Sequence, residues 1–158
     1  MNLGYDIMDT DDKRLEFLNI IHFLAQFNFS AVLSCTSQAE FLVMSAVKNS
    51  ENLRDSEVYG ISQIAESLHV SSPAVSRTIT ALENKGYVER YVDKFRRRST
   101  LVRLTPLGEE VLSGERESLL RMVGHVAERM GEEKIEQFLS LSNELLFNIQ
   151  QEIKINNI

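Results

Sequence analysis

A single cysteine, Cys35, leaves this chain of 158 residues without a disulfide framework or a cysteine-built zinc finger. A reduced, cytoplasmic protein is expected. Two prolines and seven glycines give few places to break a helix, so long helices are expected. No apolar run approaches the ~20 residues of a membrane span. The first dozen residues carry Asp6, Asp9, Asp11 and Asp12 where a signal peptide is basic, so no membrane partner is expected. There is no internal repeat and no low-complexity tract. Also missing are a phosphate-binding glycine loop, a Ser/His/Asp set, a pocket-forming pair of acids and metal-ligand spacing. His22 and His125 have no partner at i+4 and read as core or interface residues. Neither an enzyme nor a cofactor is expected.

What is present is enough apolar material for a core. Hydrophobic residues make up 43% of the chain and charged residues 25%, which excludes disorder as the main state. Acidic residues outnumber basic ones, 23 to 17, for a net charge of −6. The distribution is uneven. Residues 60–105 hold eight Lys or Arg against four Asp or Glu, a local +4 that leaves −10 elsewhere. A basic island in an acidic chain directs a polyanion to one face, although a charge run is more commonly a solvated surface.

Helical spacing runs over about 12–29 in two apolar lines, Leu15, Leu18, Ile21 or His22, Ala25, Phe29 and Phe17, Ile20, Leu24, Phe27. Two faces exceed the need of one small core, which points to a partner surface. A second helix is expected over about 37–48, with Ala39, Leu42, Val43, Ala46 and Val47 inward, followed by a polar loop over 49–59. Tyr59, Gly60 and Ile61 read as a short edge strand, and Ser62 as the N-cap of a short helix burying Ile64, Ala65 and Leu68. After a tight turn at Val70, Ser71 caps another helix with Pro73 in its first turn and Val75, Ile79 and Leu82 inward. Gly86 ends it. The period then becomes two: 87–92 and 99–104 read as paired strands around a tip, 93–98, with four cations in six residues. Thr105 and Pro106 start a long helix to about Met130, Gly131 breaks it, and a last helix runs over about 132–153.

Helix, tight turn, capped helix and basic-tipped hairpin together are a winged helix-turn-helix. The fold class is mostly α with a small β-wing, flanked by N- and C-terminal helices for dimerisation. The expected divisions are 1–35, 36–105 and 106–158, with the winged unit in the middle. The first helix braces the second so that its N-terminal end enters a major groove. Burying Val75, Ile79 and Leu82 turns Ser72, Pro73, Ser76, Arg77 and Thr80 outward. Hydroxyls bond phosphates or base edges, and arginine pairs with guanine or phosphate. Ser71 is mainly a cap. Lys94, Arg96, Arg97 and Arg98 on the wing suit a narrow minor groove. For Arg77 the structural alternative is an ion pair with Glu83 or another neighbour.

Ile61-Ser62-Gln63-Ile64-Ala65-Glu66-Ser67-Leu68, followed by Val70-Ser71-Ser72-Pro73-Ala74-Val75-Ser76-Arg77, resembles the helix-turn-helix of the MarR family of transcriptional regulators. Leu82-Glu83-Asn84-Lys85-Gly86-Tyr87-Val88-Glu89-Arg90 is similar to that family's exit from the recognition helix. Val102-Arg103-Leu104-Thr105-Pro106-Leu107-Gly108 is similar to its wing-to-helix junction. The resemblance covers about residues 36–112. One position departs: where the family's wing carries an Asp before its Arg pair, this chain has Arg96, with Asp93 three residues earlier.

The resemblance implies a homodimer whose terminal helices interleave and whose two lobes bind a pseudo-palindromic double-stranded DNA operator. It also implies a regulator, most often a repressor, that releases DNA in response to a small-molecule effector or another signal. A different class of function, a winged helix that docks on protein without specific DNA binding, is the alternative; the arginine-rich tip argues against it. Cys35 reads as a small buried hydrophobe rather than a sensor. Gly114 and Gly124, inside a long helix at about 1 kcal/mol each relative to Ala, suit a close crossing or a bend.

Overall fold

The computed structural model describes residues 11–51, 60–92 and 100–155. The elements run α1 (Asp11–Ala25), a 3-10 turn (Ser30–Val32), α2 (Gln38–Glu51), α3 (Ile61–Ser67), α4 (Ser72–Asn84), β1 (Val88–Val92), β2 (Thr100–Leu104), α5 (Pro106–Met130) and α6 (Glu132–Ile155). The mostly helical class with a two-stranded antiparallel wing is as expected.

Local chemistry sets the boundaries. Helix α1 stops at Ala25, four residues before its apolar pattern does. The Asn28 side chain accepts the Ser30 N–H at 2.8 Å and Gln38 Oε1 accepts the Phe29 N–H at 3.1 Å, so these groups turn the chain instead of extending the helix. Phe29 then sets its ring edge-on to Phe41, with centroids 5.7 Å apart. Helix α2 opens with a reciprocal capping box: Ser37 N–H donates to Glu40 Oε2 at 2.7 Å, and Glu40 N–H donates to Ser37 Oγ at 3.3 Å. This helix runs on to Glu51, into the stretch expected as loop.

One inward face and one cap differ from expectation. Helix α2 buries Val43, Met44 and Val47, whereas Leu42 and Ala39 are exposed. Helix α3 starts from Gly60 without a side-chain cap, so Ser62 lies inside the helix and does not cap it. Gly60 instead makes an isolated antiparallel bridge to Leu101, the one described trace of the expected edge strand; Tyr59 lies outside the described residues. The connection to α4 places His69 at φ 53°, in the left-handed region.

Helix α4 ends in a Schellman arrangement. Gly86 sits at φ 73°, its N–H bonds to Glu83 O at 2.9 Å, and the Tyr87 N–H bonds to Leu82 O at 2.9 Å. The hairpin pairs Val88 with Leu104, Glu89 with Arg103, Arg90 with Val102, and Tyr91 with Leu101. Thr105 Oγ1 accepts the Gly108 N–H at 3.0 Å and donates to Gly86 O at 2.6 Å, which ties the start of α5 to the end of α4.

The core lies between Val43 and Leu112. Val43, Met44 and Val47 meet Ile64, Ala65, Val75, Ile79 and Leu82, with Val88, Val102 and Leu104 closing from the wing. Helix α6 contributes no buried residue. No described helix is long and apolar enough to cross a membrane.

Candidate nucleic-acid interface

Helix α4 is amphipathic in the expected sense. Val75, Ile79 and Leu82 are at most 1% exposed, while Ser72, Pro73, Arg77 and Thr80 are exposed and Ser76 is half-buried. Ser71, exposed, accepts the Ala74 N–H at 3.4 Å as the cap. The six helix residues expected at an interface therefore share one open edge. Lys94, Arg96, Arg97 and Arg98 lie outside the described residues.

The cations separate into two groups. Lys85 Nζ contacts Glu40 at 2.8 Å and donates to Cys35 O at 3.3 Å. Arg90 pairs with Glu83 at 3.3 Å, and Arg103 with Glu89 at 2.7 Å. Arg103 also lies 5.2 Å from the centroid of the Tyr91 ring. Arg77 has no ion pair among the described residues, and Glu83, the alternative partner named for it, faces Arg90 instead. Three of the eight basic residues counted in the 60–105 island are thus paired with acids of the same chain, and Arg77 is not among them.

Sequence reasoning passed over two polar anchors behind this face. Glu40 is 7% exposed. Burial pushes its carboxyl up, but the hydrogen bond from Lys85, those from Ser37 and the Lys85 charge outweigh this and hold it below the usual carboxylate range. The Ser37-x-x-Glu40 spacing was a legible sign of the cap, though not of the pair with Lys85. Glu115, 3% exposed on α5, accepts the N–H groups of Ser34, Cys35 and Thr36 at 2.6–3.1 Å, and the Thr36 hydroxyl at 3.4 Å. Nothing in the local sequence marks it. This loop also corrects the reading of Cys35, which is exposed and not a buried hydrophobe. His22 and His125 are exposed as well; His22 Nε2 lies 2.8 Å from the Gln26 side-chain nitrogen. The described residues hold no cluster of His, Cys, Asp or Glu fit for a metal.

The sequence model of the MarR family matches residues 36–100, the span from the loop before α2 to the first residue of β2. Among solved structures, the transcriptional regulator BldR from Sulfolobus solfataricus is similar at 26% identity and TM-score 0.66, over 89% of this chain and 99% of that one. A MepR mutant from S. aureus bound to an oligodeoxyribonucleotide is similar at 21% identity and TM-score 0.54, over 87% and 97%. PcaV from Streptomyces coelicolor, in complex with its natural ligand, is similar at 16% identity and TM-score 0.58, over 92% and 97%. The last two show the shared fold. Residues 36–100 thus match the MarR family of transcription regulators, and the serine-capped helix with the wing beside it has the fold of these solved structures.

Proposed function

We propose that this protein binds a pseudo-palindromic operator in double-stranded DNA as a homodimer and represses transcription by occupying it. The observation that carries the DNA contact is Arg77, exposed and unpaired among the described residues on the open edge of a serine-capped helix. Ser72, Pro73, Ser76 and Thr80 flank it as base or phosphate contacts, with Ser71 at the helix start. Lys94, Arg96, Arg97 and Arg98 are the proposed wing contacts. The MepR mutant bound to an oligodeoxyribonucleotide lends support by fold.

The dimer reading rests on apolar surface. Phe23 is 70% exposed on α1, Val123 55% on α5, and Leu141 65% and Phe147 60% on α6. Such a surface marks a partner interface, and a second copy of the chain supplies the matching helices. Residues 1–35 and 106–158 then form the dimerisation part, and 36–105 the DNA-binding part. A small-molecule effector is proposed to release the DNA. A cleft of about 390 Å³ lined by Ser34, Cys35, Leu107, Val111, Gly114 and Ser118 offers it room, and PcaV with its ligand lends support by fold.

Selection of bound duplexes from a random pool tests the reading. The expected product is a two-fold-symmetric sequence with half-sites ~34–36 Å apart. A pool without enrichment overturns it. Sedimentation is expected to show a dimer that Phe23→Asp with Leu141→Asp converts to a monomer.

A further inference from the structure

We infer that Thr80 reads DNA through its methyl group and not its hydroxyl, because Arg90 on the wing holds that hydroxyl turned inward. The inference rests on the proposal that the open edge of α4 meets a DNA groove.

A threonine hydroxyl has one proton to donate and two lone pairs to accept with. In Thr80 the proton goes to Ser76 O, 3.0 Å away in the same helix. One lone pair takes the Arg90 Nη2 proton at 3.2 Å. The hydroxyl therefore has no donor left for a base or a phosphate. The remaining lone pair lies beside a guanidinium, which offers its own protons to any approaching acceptor. With the hydroxyl occupied, the γ-methyl is the group this exposed residue has left to offer a base. The complement of a methyl in the major groove is the C5-methyl of thymine.

Arg90 is placed for this by the hairpin register. It faces Val102, on the same side of the sheet as the buried Val88 and Leu104, so its side chain runs toward α4 and away from the outer face. There it meets two α4 residues three apart, hence on one side of the helix: Thr80 by hydrogen bond and Glu83 by an ion pair at 3.3 Å. Glu83 fixes the guanidinium, and the guanidinium fixes the hydroxyl. Arg90 is thus a positioning residue for a specificity-determining Thr80, and it couples the base of the wing to the recognition helix.

The test uses the full-length protein and the sequence it selects from a random duplex pool. Thr80→Val keeps the shape and the methyl but has no hydroxyl. It is expected to select the same sequence with affinity within a factor of about two of the parent. Thr80→Ala is expected to lose preference for thymine at one position of each half-site, by about fourfold, the worth of one buried methyl-sized group. Replacing that thymine by deoxyuridine is expected to cost the parent and the Val variant the same factor, and the Ala variant nothing. Arg90→Met is expected to change the base preferred at that position in the parent, where it leaves the hydroxyl held by Ser76 O alone and able to rotate outward, and to leave it unchanged in the Thr80→Val background. Thermal melts check that each variant folds; a shared loss of stability does not produce this background dependence. Loss of binding by Thr80→Val equal to that by Thr80→Ala overturns the inference, as does indifference of the parent to deoxyuridine at every thymine. A parent that selects no sequence at all defeats the DNA reading itself.

Discussion

Lys85 at the C-cap of α4 holds both carboxylate oxygens of Glu40 in the first turn of α2, at 2.8 and 2.9 Å. The recognition helix is thereby anchored at its far end to the helix behind it. Glu40 closes the α2 capping box with the same carboxylate, so one buried acid serves two elements. The Glu40 carboxyl is held below its ordinary range by Lys85 and Ser37 against the upward push of burial. An acid depressed on folding stabilises the fold above its unfolded value, about 4.3. That contribution disappears as pH falls through the lower, folded value. Stability is therefore expected to fall as pH drops below about 4.3, and Lys85→Met to flatten that slope in urea titrations at successive pH values.

Arg77→Ala is expected to lower operator affinity about 5- to 150-fold, equivalent to the 1–3 kcal/mol of one arginine contact, with the dimer and its melting point intact. If Arg77 meets phosphate, the slope of log affinity against log salt drops by about one. Titrations at several salt concentrations measure both. Equal affinity for parent and variant removes Arg77 from the interface.

Gly108→Ala is expected to destabilise the fold severely, by about 3 kcal/mol or more. A Cβ there would stand 1.9 Å from Tyr87 O, a backbone atom held by the Thr105 N–H at 3.0 Å. Gly114→Ala and Gly124→Ala meet open space and are expected to stabilise the monomer fold by about 1 kcal/mol each through helix propensity. Denaturant unfolding of the three variants separates these cases. A loss of dimer affinity in the last two locates the close helix crossing between subunits.

Glu115→Ala is expected to cost about 3 kcal/mol, since it strands three backbone N–H groups of residues 34–36 that one buried carboxylate satisfies. Glu115→Gln keeps the shape and one acceptor oxygen and is expected to cost less. Hydrogen exchange of those amides reports the loss directly: their protection should vanish in the Ala variant ahead of global unfolding.

His69→Gly is expected to raise stability by about 0.5 kcal/mol. It removes a left-handed cost of about 1–2 kcal/mol and adds the larger chain entropy of glycine. His69→Val should move the melting point the opposite way, because a β-branched residue tolerates φ 53° least.

Much of the architecture follows from the sequence alone because its signals are local. A serine before Pro73, a glycine after Asn84 and a change of period at Tyr87 each act within one or two turns, so α4, the hairpin and the start of α5 stand where the pattern places them. The open edge of α4 was legible for the same reason: burying Val75, Ile79 and Leu82 leaves Ser72, Arg77 and Thr80 outside. Tertiary structure decided what depends on groups distant in the chain. The pattern of α1 continues past Ala25, but the chain turns away there, with the Phe29 N–H donated to Gln38 nine residues on. Helix α2 could bury either of two adjacent stripes, and contact with α3 and α4 selected Val43, Met44 and Val47. The count of basic residues was plain from the outset, but their availability was not. Lys85, Arg90 and Arg103 each meet an acid brought close by folding, from 45, 7 and 14 residues away. Charge is a property of composition, whereas a free charge is a property of distance, and only the packed chain sets distance.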